Sequence, residues 1–232
     1  MQSLLKNIWL KYIQTCVFCA KPDKNNICAN CIADLPWLTH TCTICALPLL
    51  STATHLICKN CIQQKPRFNR VIAAFNYSFP IDVAVTKSKK EQARHHLNWL
   101  SYLLLTKLAG GYSSSSMPEV IIPVPISAKK KLYKGYNQTE QLAKAISGRL
   151  NIAYDDHVLT KIKDTPAQAT LSAKQRKTNL IGAFSAHKHP YLHVAIVDDV
   201  LTTGSTANEL AKVLKDSGAK TIDIWVIART PI

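Results

Sequence analysis

Four C-x-x-C pairs constrain this chain more than any other feature: Cys16/Cys19, Cys28/Cys31, Cys42/Cys45 and Cys58/Cys61. No cysteine follows them in a sequence of 232 residues. A C-x-x-C turn sets two thiolates on one side of a tight knuckle, about 3.5–4 Å apart. That is one edge of a tetrahedron around a zinc ion with Zn–S near ~2.3 Å. Two knuckles close one site. The chain therefore carries ligands for two complete four-cysteine sites, spaced C-x2-C-x8-C-x2-C and C-x2-C-x12-C-x2-C. Sequential pairing is the simplest arrangement. A cross-braced one, first knuckle with third and second with fourth, satisfies the same ligand count. Neither leaves a coordination position open, so the zinc is expected to be structural. Ile32, Leu35, Pro36-Trp37 and Leu47 are the few apolar groups nearby, and metal binding has to supply what so small a core lacks. Disulfides are the first alternative, but the start of the chain does not read as a secretory signal. A thioredoxin-like centre needs one C-x-x-C in a βαβ setting, not four in a row.

The pattern changes near Arg70, which divides the sequence into a zinc-binding module over residues 1–69 and an α/β domain over 70–232. A short amphipathic helix is expected at the start, with Leu5, Ile8, Trp9 and Tyr12 on one face. In the larger part, Val71–Tyr77, Val120–Ile122, Val194–Val197 and Thr221–Ala228 read as strands. Ile81–Leu108, Asn137–Leu150, Ser172–Leu180 and Ser205–Ser217 read as helices, the last closed by Gly218. Gly110-Gly111 and Ser113–Ser116 read as a flexible loop. Strands alternating with helices predict a parallel sheet covered on both faces, with ligands beyond the carboxyl ends of the strands.

Charge narrows the partners. The formal net charge is +15, from 29 basic and 14 acidic residues, and residues 120–191 alone contribute +8. Such a surface attracts polyanions: nucleic acid, phosphorylated metabolites or anionic lipid. There is no run of about eighteen apolar residues, so no integral membrane segment is expected. The expected location is cytoplasmic, extending to the inner face of the membrane.

The segment Val197–Thr206 carries the most specific chemistry. A buried strand delivers two adjacent carboxylates, Asp198 and Asp199. A hydroxyl-rich turn follows, with Thr202, Thr203, Gly204, Ser205 and Thr206, and then a helix. Backbone N–H groups converging at the helix's positive end, together with those hydroxyls, make a cradle for a phosphate monoester. The two aspartates are placed to accept hydrogen bonds from sugar hydroxyls. Neither the G-x-x-x-x-G-K-[ST] loop nor G-x-G-x-x-G is present, which removes the main support for ATPase and dinucleotide readings.

These residues, with Asp34-Leu35-Pro36-Trp37, Ile122-Pro123-Val124-Pro125, Lys134-Gly135-Tyr136-Asn137-Gln138, Asp164-Thr165-Pro166-Ala167-Gln168 and Trp225–Thr230, resemble the ComF family of phosphoribosyltransferase-like proteins along nearly the whole chain. The resemblance implies a type I phosphoribosyltransferase-like sheet behind a cysteine-rich zinc module. It implies that Asp198 and Asp199 hold the ribose hydroxyls of phosphoribosyl pyrophosphate, in a catalytic role if the protein is an enzyme, and that Thr202–Thr206 bind its 5-phosphate. It places the loop after Pro123-Val124-Pro125 near the pyrophosphate, with an X-Pro bond there that could be cis. It marks Lys130, Lys131, Lys134, Tyr136, Asn137 and Gln138 as contacts to pyrophosphate or nucleic acid. Lys174 and Arg176 would join them from a mobile loop. Lys134 stands where relatives carry arginine, which keeps the charge and loses bidentate geometry. The family's Lys-aromatic-x-Gly is replaced by Lys87-Ser88-Lys89-Lys90, which puts any role for that motif in doubt.

Two functions of different class remain. One is a competence protein acting in DNA uptake, binding single-stranded DNA and a phosphoribosyl pyrophosphate-like ligand and meeting uptake machinery or a helicase. Lysines would follow the backbone, and Tyr133, Tyr136 and Phe184 would stack on bases. The other is an active phosphoribosyltransferase, with magnesium on the pyrophosphate. No base-recognition element is evident, which favours DNA handling.

Overall fold

A computed structural model of the chain describes residues 14–50, 55–89, 95–112, 117–164 and 180–231. The amphipathic helix expected at the N-terminus and the helix expected over 172–179 lie outside them, as do Lys174 and Arg176. The chain divides into two compact units, Met1–Pro36 and Trp37–Ile232. Composition suggested a division at residue 69; the compact units divide between the second and third knuckles.

The first unit is one cysteine ribbon. Cys16 N–H donates to Lys21 O at 2.7 Å and Ala20 N–H to Cys16 O at 2.9 Å, closing the knuckle. A bridge pairs Thr15 with Pro22, and helix α1 (Ala29–Ala33) follows Cys28. The second unit opens with the same construction. Cys42 N–H donates to Leu47 O at 2.8 Å and Ala46 N–H to Cys42 O at 2.9 Å; Thr41 bridges Pro48, and α2 (Lys59–Gln63) follows Cys58. Ala20 and Ala46 share the left-handed conformation, with φ of 60° and 53°. Thr15–Pro22 and Thr41–Pro48 are thus two copies of one T-C-x-x-C-A-x-P ribbon.

The rest of the second unit is the expected α/β body. Its elements run β1 (Arg70–Asn76), α3 (Ile81–Ser88), α4 (His95–Gly111), β2 (Val120–Pro123), α5 (Ala128–Lys134), α6 (Gln138–Leu150), β3 (Ala153–Tyr154), β4 (Leu159–Lys161), β5 (Phe184–Ala186), β6 (His193–Leu201), α7 (Ser205–Asp216) and β7 (Thr221–Arg229). A five-stranded sheet in the order β1-β7-β6-β2-β3 is parallel throughout, and β4-β5 form a separate antiparallel pair. Because β2, the middle of β1, Val194–Val197 of β6 and most of β7 are buried, they read as short, mainly apolar runs. The open edge of β1 is covered where Leu38 N–H donates to Ala74 O and Trp37 bridges Phe75.

Three expectations change. Helix α4 runs through Gly110 and Gly111 instead of ending before them. The Gly111 carbonyl accepts from Arg70 Nη1 at 2.9 Å, and a Cβ there would meet Ile72 Cδ1 at 2.9 Å, so the glycine serves a close approach. The lysine run is a helix, α5, capped by Ser127 Oγ, which accepts from Lys130 N–H, and closed by Gly135 at φ 73°. The cis X-Pro bond among the described residues is Phe79-Pro80, not one in Pro123–Pro125.

Chain direction locates the functional end. From β2 the chain passes through α6 to β3 on one side, and from β6 through α7 to β7 on the other. The connections diverge between β2 and β6, and the carboxyl ends at such a switch point open a crevice. At the opposite end the sheet is closed by buried Asp223, which accepts from Arg70 Nε at 3.2 Å and pairs with His193 Nε2 at 3.1 Å.

Candidate functional site

Strand β6 extends past the expected Val197 end to Leu201, so Asp198 and Asp199 are strand residues at its carboxyl half. Asp198 Oδ1 accepts from Asp199 N–H at 2.8 Å, and Asp199 Oδ1 accepts from Val200 N–H at 2.7 Å. The other Asp199 oxygen faces Lys89 Nζ at 3.4 Å and accepts from Gln138 Nε2. Burial raises the Asp198 pKa well above the ordinary carboxylate range, and the Asp199 charge adds to the shift. Two carboxyls side by side thus have unlike surroundings: one held toward its protonated form, one beside an ammonium.

The turn after β6 takes the cradle form. Gly204, at φ 77°, precedes α7, and Asn208 N–H closes the first helical turn on Gly204 O. Thr203 Oγ1 lies 2.8 Å from Ser205 Oγ and accepts from Ser205 N–H at 3.3 Å. Thr202, Gly204, Ser205 and Thr206 line a cleft of about 650 Å³ together with Asp198 and Asp199, while Thr203 braces the turn from behind. Across the cleft stand Tyr136, Asn137 and Gln138. Asn137 is spent on structure: it caps α6, its Oδ1 accepting from Thr139 N–H, and its Nδ2 donates to Val124 O at 3.0 Å. Tyr136 donates its hydroxyl to Ser88 O at 2.9 Å, tethering the end of α3 and with it Lys89.

Four lysines line the same cleft: Lys89, Lys130, Lys134 and Lys161. Burial lowers the pKa of Lys134, helped by Lys130 and Lys89, and lowers that of Lys161, helped by Lys130. Ammonium groups crowded in this way repel one another, and an anion between them relieves the repulsion. Lys161 was missed in the sequence, where it stands in an unremarkable polar stretch, and Lys89 was left in doubt. Lys131 turns away and pairs with Glu140 at 2.8 Å. Of the proposed stacking residues, Tyr133 is 92 % exposed but Phe184 is only 4 % exposed. Its place in β5 packs most of the ring into the core, leaving a small part to line the cleft beside Lys161, whose Nζ is 5.6 Å from the ring centroid.

The cysteines pair sequentially. Cys16, Cys19, Cys28 and Cys31 gather in one cluster and Cys42, Cys45, Cys58 and Cys61 in the other, with the four Sγ atoms of each within 4.8 Å of one another. Cys19 and Cys28 sulfurs stand 3.6 Å apart, as do those of Cys45 and Cys58, close to the ~3.8 Å edge of a zinc tetrahedron. Burial alone would raise the Cys42 thiol. Backbone N–H groups, including that of Cys58 at 3.3 Å, outweigh burial and bring it to about 7. Similar N–H groups bring Cys16 to about 6 against its burial. Thiolate-stabilising donors and tetrahedral spacing fit structural zinc.

The two clusters differ in surroundings. In the first, Cys19 is exposed and Cys28 and Cys31 half-buried; all four cysteines of the second are buried. The second set belongs to the apolar core on one sheet face, with Val71, Val194, Ile196, Ile224, Val226 and helix α7 residues Leu210 and Leu214. Val71 N–H donates to Ile44 O at 2.8 Å. Arg229, 2 % exposed, donates from Nε to Cys45 O at 3.0 Å. Its Nη1 donates to Leu201 O at 3.1 Å and to Thr202 O and Thr230 O.

Comparison with known proteins agrees with this construction. A double zinc ribbon domain matches residues 10–62. Competence protein F of Haemophilus influenzae is 34 % identical over 215 residues, covering 89 % of this chain and 91 % of that protein. The chain belongs to the ComF family. DNA utilization protein YhgH of Salmonella typhimurium is 32 % identical over 207 residues, covering 88 % of this chain and 90 % of that protein. Competence protein ComFC of Bacillus subtilis is 19 % identical over 222 residues, covering 92 % and 88 %. A solved structure titled as the allosteric regulatory enzyme of purine biosynthesis shares 20 % identity over 55 % of this chain and 24 % of that one, at a TM-score of 0.34, too low to bear on the fold. The architecture agrees with the expected parallel α/β sheet and cysteine-rich zinc-ribbon module. Among the described residues no helix is long and apolar enough to cross a membrane.

Proposed function

We propose that this ComF-family protein handles DNA in competence, seating sugar-phosphate units of a single strand, and phosphoribosyl pyrophosphate as a small ligand, in the cleft at the carboxyl end of β6. One observation carries the reading: the aspartate pair, the hydroxyl turn and four lysines converge on a single cleft. The turn suits a phosphate and the lysines a continuing phosphate backbone, while the carboxylates suit the free ribose hydroxyls of phosphoribosyl pyrophosphate. Exposed Tyr133 and Lys129 of α5 extend the same surface outward, suited to stacking and backbone contact. The names of the relatives, competence and DNA utilization, point the same way.

Fluorescence anisotropy with single- and double-stranded oligonucleotides at two salt concentrations tests it. The single strand should bind more tightly, and affinity should fall steeply with salt. Lys134→Gln with Lys161→Gln should flatten that dependence by about two phosphate contacts. No binding at low salt overturns the DNA reading. The unlike surroundings of the two carboxyls, Asp198 buried and Asp199 beside Lys89 and Gln138, support a second reading, transfer of a phosphoribosyl group to a base with Asp199 facing the developing sugar cation. Calorimetry with phosphoribosyl pyrophosphate and magnesium, followed by a screen of bases for product, decides between ligand binding and turnover.

A further inference from the structure

Arg229 presents an electrostatic problem that the proposed function leaves unsolved. A guanidinium this deeply buried needs an anion nearby or pays a large desolvation cost. None of the ion pairs among the described residues includes it. Besides the neighbouring Thr230 O, its donors go to Cys45 O in the third knuckle and to Leu201 O and Thr202 O at the start of the phosphate turn. The anionic group within reach is the second four-cysteine cluster itself, since Arg229 Nε donates to the carbonyl of its member Cys45. Zinc held by four thiolates is a dianion, so the loaded second cluster supplies the missing countercharge.

We propose that Arg229 is a positioning residue that couples the second four-cysteine cluster to the phosphate turn, so that metal at Cys42, Cys45, Cys58 and Cys61 and an anion at Thr202–Thr206 strengthen one another's binding. The coupling rests on the reading of that turn as a phosphate site. One side of the guanidinium fixes Cys45 O, next to a metal ligand. The other fixes the two carbonyls from which the turn departs, setting where its N–H groups point. If the cluster empties or is oxidised, the guanidinium loses its countercharge and the turn its brace. The effect must run both ways, because coupling between two binding sites is reciprocal. The first cluster, whose unit (residues 1–36) contains no arginine, is the internal control.

Two measurements on the full-length zinc-loaded protein test the proposal. In the first, hydrogen exchange is followed at residues 201–207 in wild type, Arg229→Lys and Arg229→Met. Exchange should quicken about tenfold or more in both variants, because lysine keeps the charge but cannot span both sets of carbonyls. Amides around Cys16–Cys31 should be unchanged. Exchange at 201–207 that matches wild type in Arg229→Lys overturns the proposal, even if Arg229→Met fails to fold. The second uses wild type alone. Zinc release to a colorimetric chelator is timed with and without magnesium phosphoribosyl pyrophosphate, with binding checked by calorimetry. The slower phase should slow a further fivefold or more with ligand, and the faster phase should not move. Bound ligand with an unmoved slow phase overturns the coupling. Absence of binding heat removes the phosphate-site reading instead and leaves the exchange measurement to judge Arg229.

Discussion

The two cysteine ribbons are near copies in backbone and in motif, yet they sit in opposite environments. Thr15–Pro22 and Thr41–Pro48 share the bridge, the knuckle hydrogen bonds and the left-handed alanine. The first copy leaves Cys19 and Phe18 exposed within a unit of its own. The second lays all four cysteines against the sheet face that helix α7 also covers, and hands a carbonyl to Arg229. A metal-binding motif therefore fixes a local turn and a ligand set but not a structural role. In one copy the cysteines serve a ribbon of its own; in the other they also form part of the core of the α/β body.

That contrast can be broken most directly by removing one ligand from each copy. Cys58→Ser should cost the α/β body about 3–5 kcal/mol, because it leaves buried thiolates without their metal. Cys19→Ser should lose zinc from the first cluster yet change unfolding of the body by about 0.5 kcal/mol or less. Calorimetric melting with metal analysis checks both, and equal losses would remove the distinction.

A smaller change sharpens it. Leu210, fully buried beside the second cluster, becomes a cavity in Leu210→Ala at a cost of about 2–5 kcal/mol. Denaturant melts give the stability. Zinc release should quicken for the second cluster only, so quickening of both phases contradicts separate environments. In the unaltered protein, release from the exposed first cluster should already be about tenfold faster, a difference of about 1.4 kcal/mol in barrier.

The smallest effect concerns Asp198, on the sheet that only the second unit contains. Burial and the Asp199 charge raise its pKa, so the folded protein binds more protons than the unfolded chain above the ordinary carboxylate pKa. Stability contributed by the protonated form is therefore complete at low pH and declines as pH rises toward the raised value. Asp198→Asn cannot ionise and should gain on wild type over that rise, while ligand binding weakens. Urea midpoints compared between pH 5 and pH 8 test the sign, and a gap that narrows with pH contradicts it.

Legibility in the sequence followed the range of the interactions. Cysteine spacing announced the zinc ligands because a knuckle is a four-residue object. The Asp-Asp and hydroxyl run announced the phosphate turn because strand, turn and helix start are contiguous. Gly111 read as a loop because a glycine's close approach to Ile72 depends on a strand about forty residues earlier. Lys161 passed without notice and Lys89 was named without a role, since a lysine in a polar stretch looks the same whether it lines a cleft or faces solvent. Phe184 looked available for stacking for the converse reason.

By itself, then, the sequence determined the ligand count, the sheet type and the chemistry of one loop, all set by local spacing and by alternation of apolar runs. Only the tertiary structure decided sequential over cross-braced pairing, since that depends on which knuckles meet in space. It also decided that the second cluster belongs to the body that carries the cleft. The physical reason is a single side chain: Arg229, last residue of the last strand, is buried between Cys45 and Thr202, neither of which lies near it in sequence.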